Sequence, residues 1–149
     1  MRAVIQRVKE AGVTIENKRY SKINKGLLLL LAVGEDDSYQ DLDYIVKKTV
    51  NLRIFSDGEG KMNLSIKDIA GELLIVSQFT LYGDARKGRR PNFTKSASPE
   101  KAIHYYEKAV KAFEEELGEV KTGKFAADMD ITLINDGPVT IQLDSTKIY

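Results

Sequence analysis

The 149-residue chain carries no cysteine, and its 23 Lys plus Arg nearly cancel its 22 Asp plus Glu. The length predicts one domain spanning 1–149, able to bury roughly two-thirds of its unfolded surface without disulfides or metals. The missing thiols exclude disulfides, thiolate zinc sites and a Cys nucleophile and fit a reducing compartment, while the balanced charge leaves any nucleic-acid binding to a local patch.

The N-terminal MRAVIQRV lacks the long apolar region of a signal peptide, and LLLLLAV at 27–33 is too short to span a bilayer, so a soluble cytoplasmic protein without membrane contact is expected. Residues Arg2 to Lys9 alternate as a strand, with Val4, Gln6 and Val8 on one face and Ile5 and Arg7 on the other. Gly12 to Glu16 reads as a second strand that returns through a turn at Asn17 and Lys18 to Arg19 to Ile23. LLLLLAV follows Gly26 and is the candidate central strand.

GEDDS at 34–38 precedes a helix from Tyr39 to about Asn51 that buries Leu42, Ile45, Val46 and Val50. Ser38 suits the N-cap, and Glu35, Asp36 and Asp37 complement the helix dipole. The alternative, a hard-cation site, does not match EF-hand spacing. Arg53 to Phe55 reads as a short strand, and SDGEGK at 56–61 as a turn. Gly58 and Gly60 lack the Gly-Lys-Ser/Thr ending of a phosphate loop.

Glu72 to Val76 reads ELLIV, an apolar run expected of a strand covered on both faces. It ends abruptly in SQFTLY at 77–82, which places Ser77, Gln78 and Thr80 at a strand tip. Two readings stand: polar groups that satisfy nearby backbone, or a substrate site. A Ser or Thr hydroxyl is a poor nucleophile without a proton acceptor, and nothing local supplies one. A site here therefore needs an unconventional base, or works by positioning and oxyanion stabilisation. The loop GDARKGRRPNF at 83–93 then brings Arg86, Lys87, Arg89 and Arg90, either a solvated loop or phosphate contacts beside an aromatic, Phe93.

The clearest helix runs from Pro99 to Leu117, capped by Ser98 and stopped by Gly118, with Ile103, Tyr106, Val110, Phe113 and Leu117 as its buried stripe. His104 is the one histidine and falls outside that stripe, so a surface role is expected. A Ser-His-Asp triad and a His-ligated metal are both disfavoured. Residues Asp130 to Ile134 and Val139 to Leu143 read as two strands around Asn135, Asp136, Gly137 and Pro138. Gly137-Pro138 is either a hairpin tip or a locked cis bond that aims two carbonyls the same way. The fold class expected is α+β, a largely antiparallel sheet or partial barrel packed with two main helices.

SQFTLY at 77–82 and NDGPVT at 135–140, in this order and at this chain length, closely resemble the D-aminoacyl-tRNA deacylases, and the likeness runs from MRAVIQRV through GRRPNF at 88–93 to the final strands. The resemblance implies a homodimer that hydrolyses the ester joining a D-amino acid, or glycine, to the 3′ end of tRNA, with no metal or cofactor. It further implies that the Gly137-Pro138 bond is cis and enters the partner subunit's pocket, excluding L side chains sterically, and that Arg7 helps hold that loop. Ser77, Gln78, Phe79 and Thr80 would line the aminoacyl-adenosine pocket, with two mechanisms open: Thr80 as nucleophile, or, in better accord with the missing base, amides near Phe79 and Thr80 stabilising the oxyanion while the tRNA 2′-hydroxyl assists. Arg86, Lys87, Arg89 and Arg90 would contact tRNA. The competing expectations are a noncatalytic RNA-binding module and an esterase or amidase for free D-amino acid derivatives.

Overall fold

The computed structural model describes residues 1–148. Among them are eight strands and two α-helices in the order β1 (Arg2–Ile15), β2 (Lys18–Ile23), β3 (Gly26–Ala32), α1 (Tyr39–Asn51), β4 (Phe55–Ser56), β5 (Met62–Leu64), β6 (Glu72–Ser77), α2 (Pro99–Leu117), β7 (Lys121–Thr122) and β8 (Asp130–Asp144). This is the expected α+β fold. The main sheet runs β2-β1-β3-β6-β7, with β8 also paired to β1 and the LLLLLAV strand in the middle of the path. Pairing is mixed: β1 is antiparallel to β2, β3 and β8, whereas β6 is parallel to β3 and β7. Ser21 Oγ donates to Thr122 O at 2.9 Å, so the first and last strands of the path touch and the sheet curls almost into a barrel.

Because β3 and β6 are covered on both faces, their side chains divide between two cores. Leu27, Leu29, Leu31, Leu73 and Ile75 pack under the helices with Ile45, Val50 and Phe113. Leu28, Leu74 and Val76 pack on the opposite face with Val8, Val13 and Ile23. Each fully buried aliphatic side chain contributes about 1.5–3 kcal/mol, and the near-continuous apolar runs of β3 and β6 follow from having no solvent face.

Two expected strand pairs are each one strand. Residues 2–9 and 12–16 fuse into the 14-residue β1, which pairs with β3 through Val8 and with β2 from Ala11 onward. Its buried positions shift from Ala3 and Ile5 in one core to Val8, Ala11 and Val13 in the other, so an irregularity around Lys9 lets one strand serve both. The two segments around NDGPV are both antiparallel to β1 and therefore run in the same direction, which overturns the hairpin-tip reading. Gln6 faces Thr140 and Val8 faces Asn135, so Arg7 alone opposes residues 136–139, which bulge out of β8.

Both helices begin and end where their caps predict. Ser98 Oγ accepts from the Lys101 amide at 3.4 Å, Pro99 sits at the first helical position and Gly118 caps the other end of α2. The buried stripe of α2 is Tyr106, Ala109 and Phe113, with Val110 and Leu117 partly covered, but Ile103 is 38% exposed, and Ala102 and Tyr105 pack against the core in its place. Asp37 departs from its expected dipole role. It is buried and accepts from the Met1 ammonium at 2.6 Å and the Gly34 amide at 2.5 Å, while Asp41 takes the capping bonds from the Ser38 amide and hydroxyl at 2.8 and 2.7 Å. The expected strand at 53–55 falls at Phe55–Ser56, paired with Met62–Leu64 across the SDGEGK turn.

Candidate active site

The end of β6 carries the polar cluster. Ser77 is the last residue of the strand, the Gln78 amide still donates to Leu31 O at 2.8 Å, and the chain then winds into a single 3-10 turn, Phe79–Tyr82. The first hydrogen bond of the turn runs from the Leu81 amide to Gln78 O at 3.2 Å, so the Phe79 and Thr80 amides precede its ladder. Gln78 Nε2 donates to Thr80 Oγ1 at 2.5 Å. Phe79 is 55% exposed, and its ring meets Phe93 edge-on at 5.2 Å.

Beside this tip lies a cavity of about 720 Å³. Ser77, Gln78 and Phe79 form one wall, Ala102 of α2 a second, and Phe125 and Met129 from the segment between β7 and β8 a third. Its volume falls in the range of small-ligand sites, roughly 300–1,000 Å³. The sequence reading had no assignment for residues 123–129, because nothing in their spacing marks a pocket wall. Thr80 is exposed on the turn at the edge of this wall. A smaller cleft of about 290 Å³ lies elsewhere, between β1, β2 and β8.

Beneath the turn is a polar support that sequence reasoning missed. Arg2 Nη1 donates to Leu81 O at 3.0 Å, Arg2 Nε donates to Asp144 Oδ2 at 2.9 Å, and the guanidinium lies 4.6 Å from the centre of the Tyr82 ring. Tyr82 Oη approaches Asp37 Oδ2 at 3.5 Å. Burial, with the charges of Asp37 and Asp144 nearby, raises the Tyr82 phenol well above its ordinary value. Burial works against ionisation of Asp144, but hydrogen bonds from Thr146 and Arg2 outweigh it and hold the carboxyl below the usual range. Alternation showed only that Arg2 belongs to a strand; its partners are 79 and 142 residues away.

Gly137 and Pro138 do not join this cavity within one protomer. They are exposed on the β8 bulge opposite Arg7, five residues along β1 from Arg2. The Gly137-Pro138 bond is cis. Arg7 Nε donates to Asp136 O at 3.0 Å and Nη1 donates to Ile54 O, so one side chain links the bulge to the segment after α1. On the other side Asn135 Oδ1 accepts from the Val139 amide at 2.8 Å, bridging the base of the bulge.

The basic loop is exposed and pinned by a bridge between Asp84 and Asn92. Arg86 is already engaged there: its Nε and Nη2 donate to the two Asp84 oxygens at 2.8 and 2.6 Å, and those hydrogen bonds hold the Asp84 carboxyl well below the usual range. Lys87, Arg89 and Arg90 have no ion pair among the described residues. His104 is exposed on α2, with Nε2 2.8 Å from Tyr39 Oη and no Ser or Asp partner. Among the described residues no three His, Asp or Glu side chains gather as a metal-holding group, and no helix is long and apolar enough to cross a membrane.

A family model for D-Tyr-tRNA(Tyr) deacylase matches residues 4–144. The chain is 58% identical over 149 residues, all of both chains, to a D-aminoacyl-tRNA deacylase of Thermosipho africanus (strain TCF52B). It is 56% identical, again over all of both, to the one of Clostridioides difficile (strain 630). Among solved structures, the c-Myc DNA Unwinding Element Binding Protein is 39% identical and superposes with a TM-score of 0.91 over 97% of this chain and 98% of that one. A probable eukaryotic D-amino acid tRNA deacylase, 18% identical, shares the fold with a TM-score of 0.83 over 95% and 97% of the two chains. From its first strand to its last, the chain belongs to the D-Tyr-tRNA(Tyr) deacylase family.

Proposed function

We propose that the chain hydrolyses the ester between a D-amino acid, or glycine, and the 3′-terminal adenosine of tRNA, leaving L-aminoacyl esters intact. The observation that carries the reading is the cavity beside Ser77 to Phe79, large enough for an aminoacyl-adenosine and walled by aromatic and aliphatic groups with hydroxyl and amide groups at one end. Incubation with D-tyrosyl-tRNA and L-tyrosyl-tRNA tests it. Release of D-tyrosine alone is expected; retention of both would leave an RNA-binding module, and turnover of small D-amino acid esters without tRNA would leave a simple esterase.

Chemistry at this site proceeds by positioning. Thr80 Oγ1 accepts from Gln78 Nε2, a donor that takes no proton, and among the described residues no basic side chain is hydrogen-bonded to it. The Phe79 and Thr80 amides, ahead of the turn's own hydrogen bonds, suit an oxyanion, while the 2′-hydroxyl of the terminal ribose assists attack by water. Thr80→Ala is expected to keep single-turnover deacylation within about tenfold, whereas loss of a true nucleophile lowers kcat by about a millionfold in the best-studied hydrolases. An acyl adduct trapped on Thr80 would overturn this mechanism.

Chirality is read by a second copy of the chain. The exposed bulge of one protomer, held by Arg7, enters the cavity of its partner, and the main chain of Gly137 and Pro138 fills the space an L side chain needs. Support comes from the bulge's position: it protrudes from its own sheet, and neither Gly137 nor Pro138 lines the cavity of its own protomer. The tRNA backbone lies along the 83–93 loop, with Lys87, Arg89 and Arg90 facing phosphates and Arg86 shaping the loop through Asp84. Replacing Arg89 and Arg90 together by Ala is expected to lower the slope of log K against log salt for tRNA by about 1–2, since each lost phosphate contact removes just under one unit. An unchanged slope would remove the loop from the interface. The enzyme works in the cytoplasm and needs no metal or cofactor.

A further inference from the structure

We infer that Arg2 is a positioning residue for deacylation, a brace that sets the 3-10 turn carrying the Phe79 and Thr80 amides against the frame of β1 and β8. The inference rests on the reading above that those amides receive the developing oxyanion.

The turn is held at its ends by the Gln78 amide on Leu31 O and the Gly83 amide on Thr80 O, and at its surface by Phe93 against Phe79. It is four residues long, contains no buried residue and is followed by the exposed basic loop. Oxyanion donors must stand within a few tenths of an ångström of their working position, so a turn this short needs an external reference. Arg2 supplies one at three points of a single planar group. It donates to Leu81 O on the turn, donates to Asp144 on β8 directly across the strand pair, and covers the face of the Tyr82 ring. Asp144 is itself fixed by accepting from the Thr146 amide and hydroxyl at 2.8 and 2.6 Å. Tyr82 backs onto Asp37, which is anchored by the Met1 ammonium and the Gly34 amide.

No other side-chain type does this. Lysine can reach a carbonyl or a carboxylate, but its compact ammonium lacks the flat fork that bonds both while stacking on an aromatic ring. Arg2 is also only 26% exposed, beside an Asp144 side chain at 3%, so these bonds are shielded from competing water. Arg7, five positions along the same strand, performs the matching task for the Gly137 bulge. The two arginines of β1 thus each hold one of the two motifs that carry the family likeness.

The test compares wild type, Arg2→Lys and Arg2→Gln, well below their unfolding temperatures. The readouts are single-turnover hydrolysis of saturating D-tyrosyl-tRNA and affinity for an uncleavable amide-linked D-tyrosyl-tRNA. Arg2→Gln is expected to slow hydrolysis roughly tenfold to a hundredfold, the range for a misplacement of about 1 Å, with the amide-linked affinity within about threefold of wild type. Arg2→Lys is expected to recover part of the rate. In 15N-labelled protein the Phe79 and Thr80 amide resonances should move in both variants. Full activity in Arg2→Gln, or a loss of affinity that accounts for the whole loss of rate, would overturn the inference. If Arg2→Gln does not fold, the same readouts on Arg2→Lys decide the question. An inactive wild type would instead sink the proposed function and leave any displacement of the amides visible by resonance.

Discussion

Gly137→Ala is expected to raise hydrolysis of L-tyrosyl-tRNA at least tenfold relative to D-tyrosyl-tRNA. The residue sits at a φ of +125°, a conformation that side chains other than glycine rarely adopt, and a Cβ there would lie 2.6 Å from Arg7 Nη2 and 3.1 Å from Val139 Cγ2. Relieving those contacts requires the bulge to move or Arg7 to release Asp136 O, and either event withdraws the wall proposed to exclude L side chains. Discrimination by a clash penalises only one enantiomer, and each ~1.4 kcal/mol of lost penalty relaxes the ratio tenfold. Because the bulge is exposed, the protein should still fold, at a strain of about 1–3 kcal/mol. Parallel time courses with radiolabelled D- and L-tyrosyl-tRNA measure the ratio. If it stays at the wild-type value in both Gly137→Ala and Arg7→Lys, the wall is elsewhere.

Gly26→Ala should be the most damaging small substitution for stability. Gly26 opens β3 opposite Glu72 in the parallel pair, and an added Cβ would meet Glu72 O at 1.8 Å and its C and N at 2.7 Å. These are backbone atoms of a buried strand, so the clash is not relieved by turning a side chain. Separating β3 from β6 would also disturb the layer of Leu27, Leu28, Leu73 and Leu74 on both faces. A loss of at least about 3 kcal/mol is expected, or a fall in Tm of about 6–12 °C for a chain of this size. Gly58→Ala is the matched control: nothing lies within 4 Å of its Cβ position, and it should change stability by less than about 0.5 kcal/mol. Urea unfolding of both proteins tests the pair, and equal midpoints would contradict the packing described at the β3–β6 seam.

Local features carried much of the fold. Ser98, Pro99 and Gly118 bound α2 because capping is decided within a few residues, and the unbroken apolar runs at 27–33 and 73–76 announce strands buried on both faces. The motifs at 77–82 and 135–140 pointed to the family through residue identity. What was misread lies where the deciding partner is far away in the chain. The segments around NDGPV look like two strands of a hairpin because Gly and Pro punctuate the sequence locally, yet both pair with β1, 116 to 142 residues earlier. Asp37 has the composition of a helix-start acid but turns inward to the Met1 ammonium and Gly34. Arg86 reads from sequence as one of four equivalent loop cations, but Asp84, two residues back, engages its guanidinium.

The sequence by itself determined the helices, the buried strands, the absence of thiol chemistry and the family, since each follows from periodicity, capping or residue type within a short window. Only the tertiary structure decided that β1 is one strand serving two cores, that Arg2 and Arg7 brace two different motifs from it, and that Gly137-Pro138 stands away from its own cavity. Those are consequences of strand register and of a bulge, set by contacts between residues about 50 to 140 positions apart, and side-chain alternation carries no record of which distant strand a segment will meet.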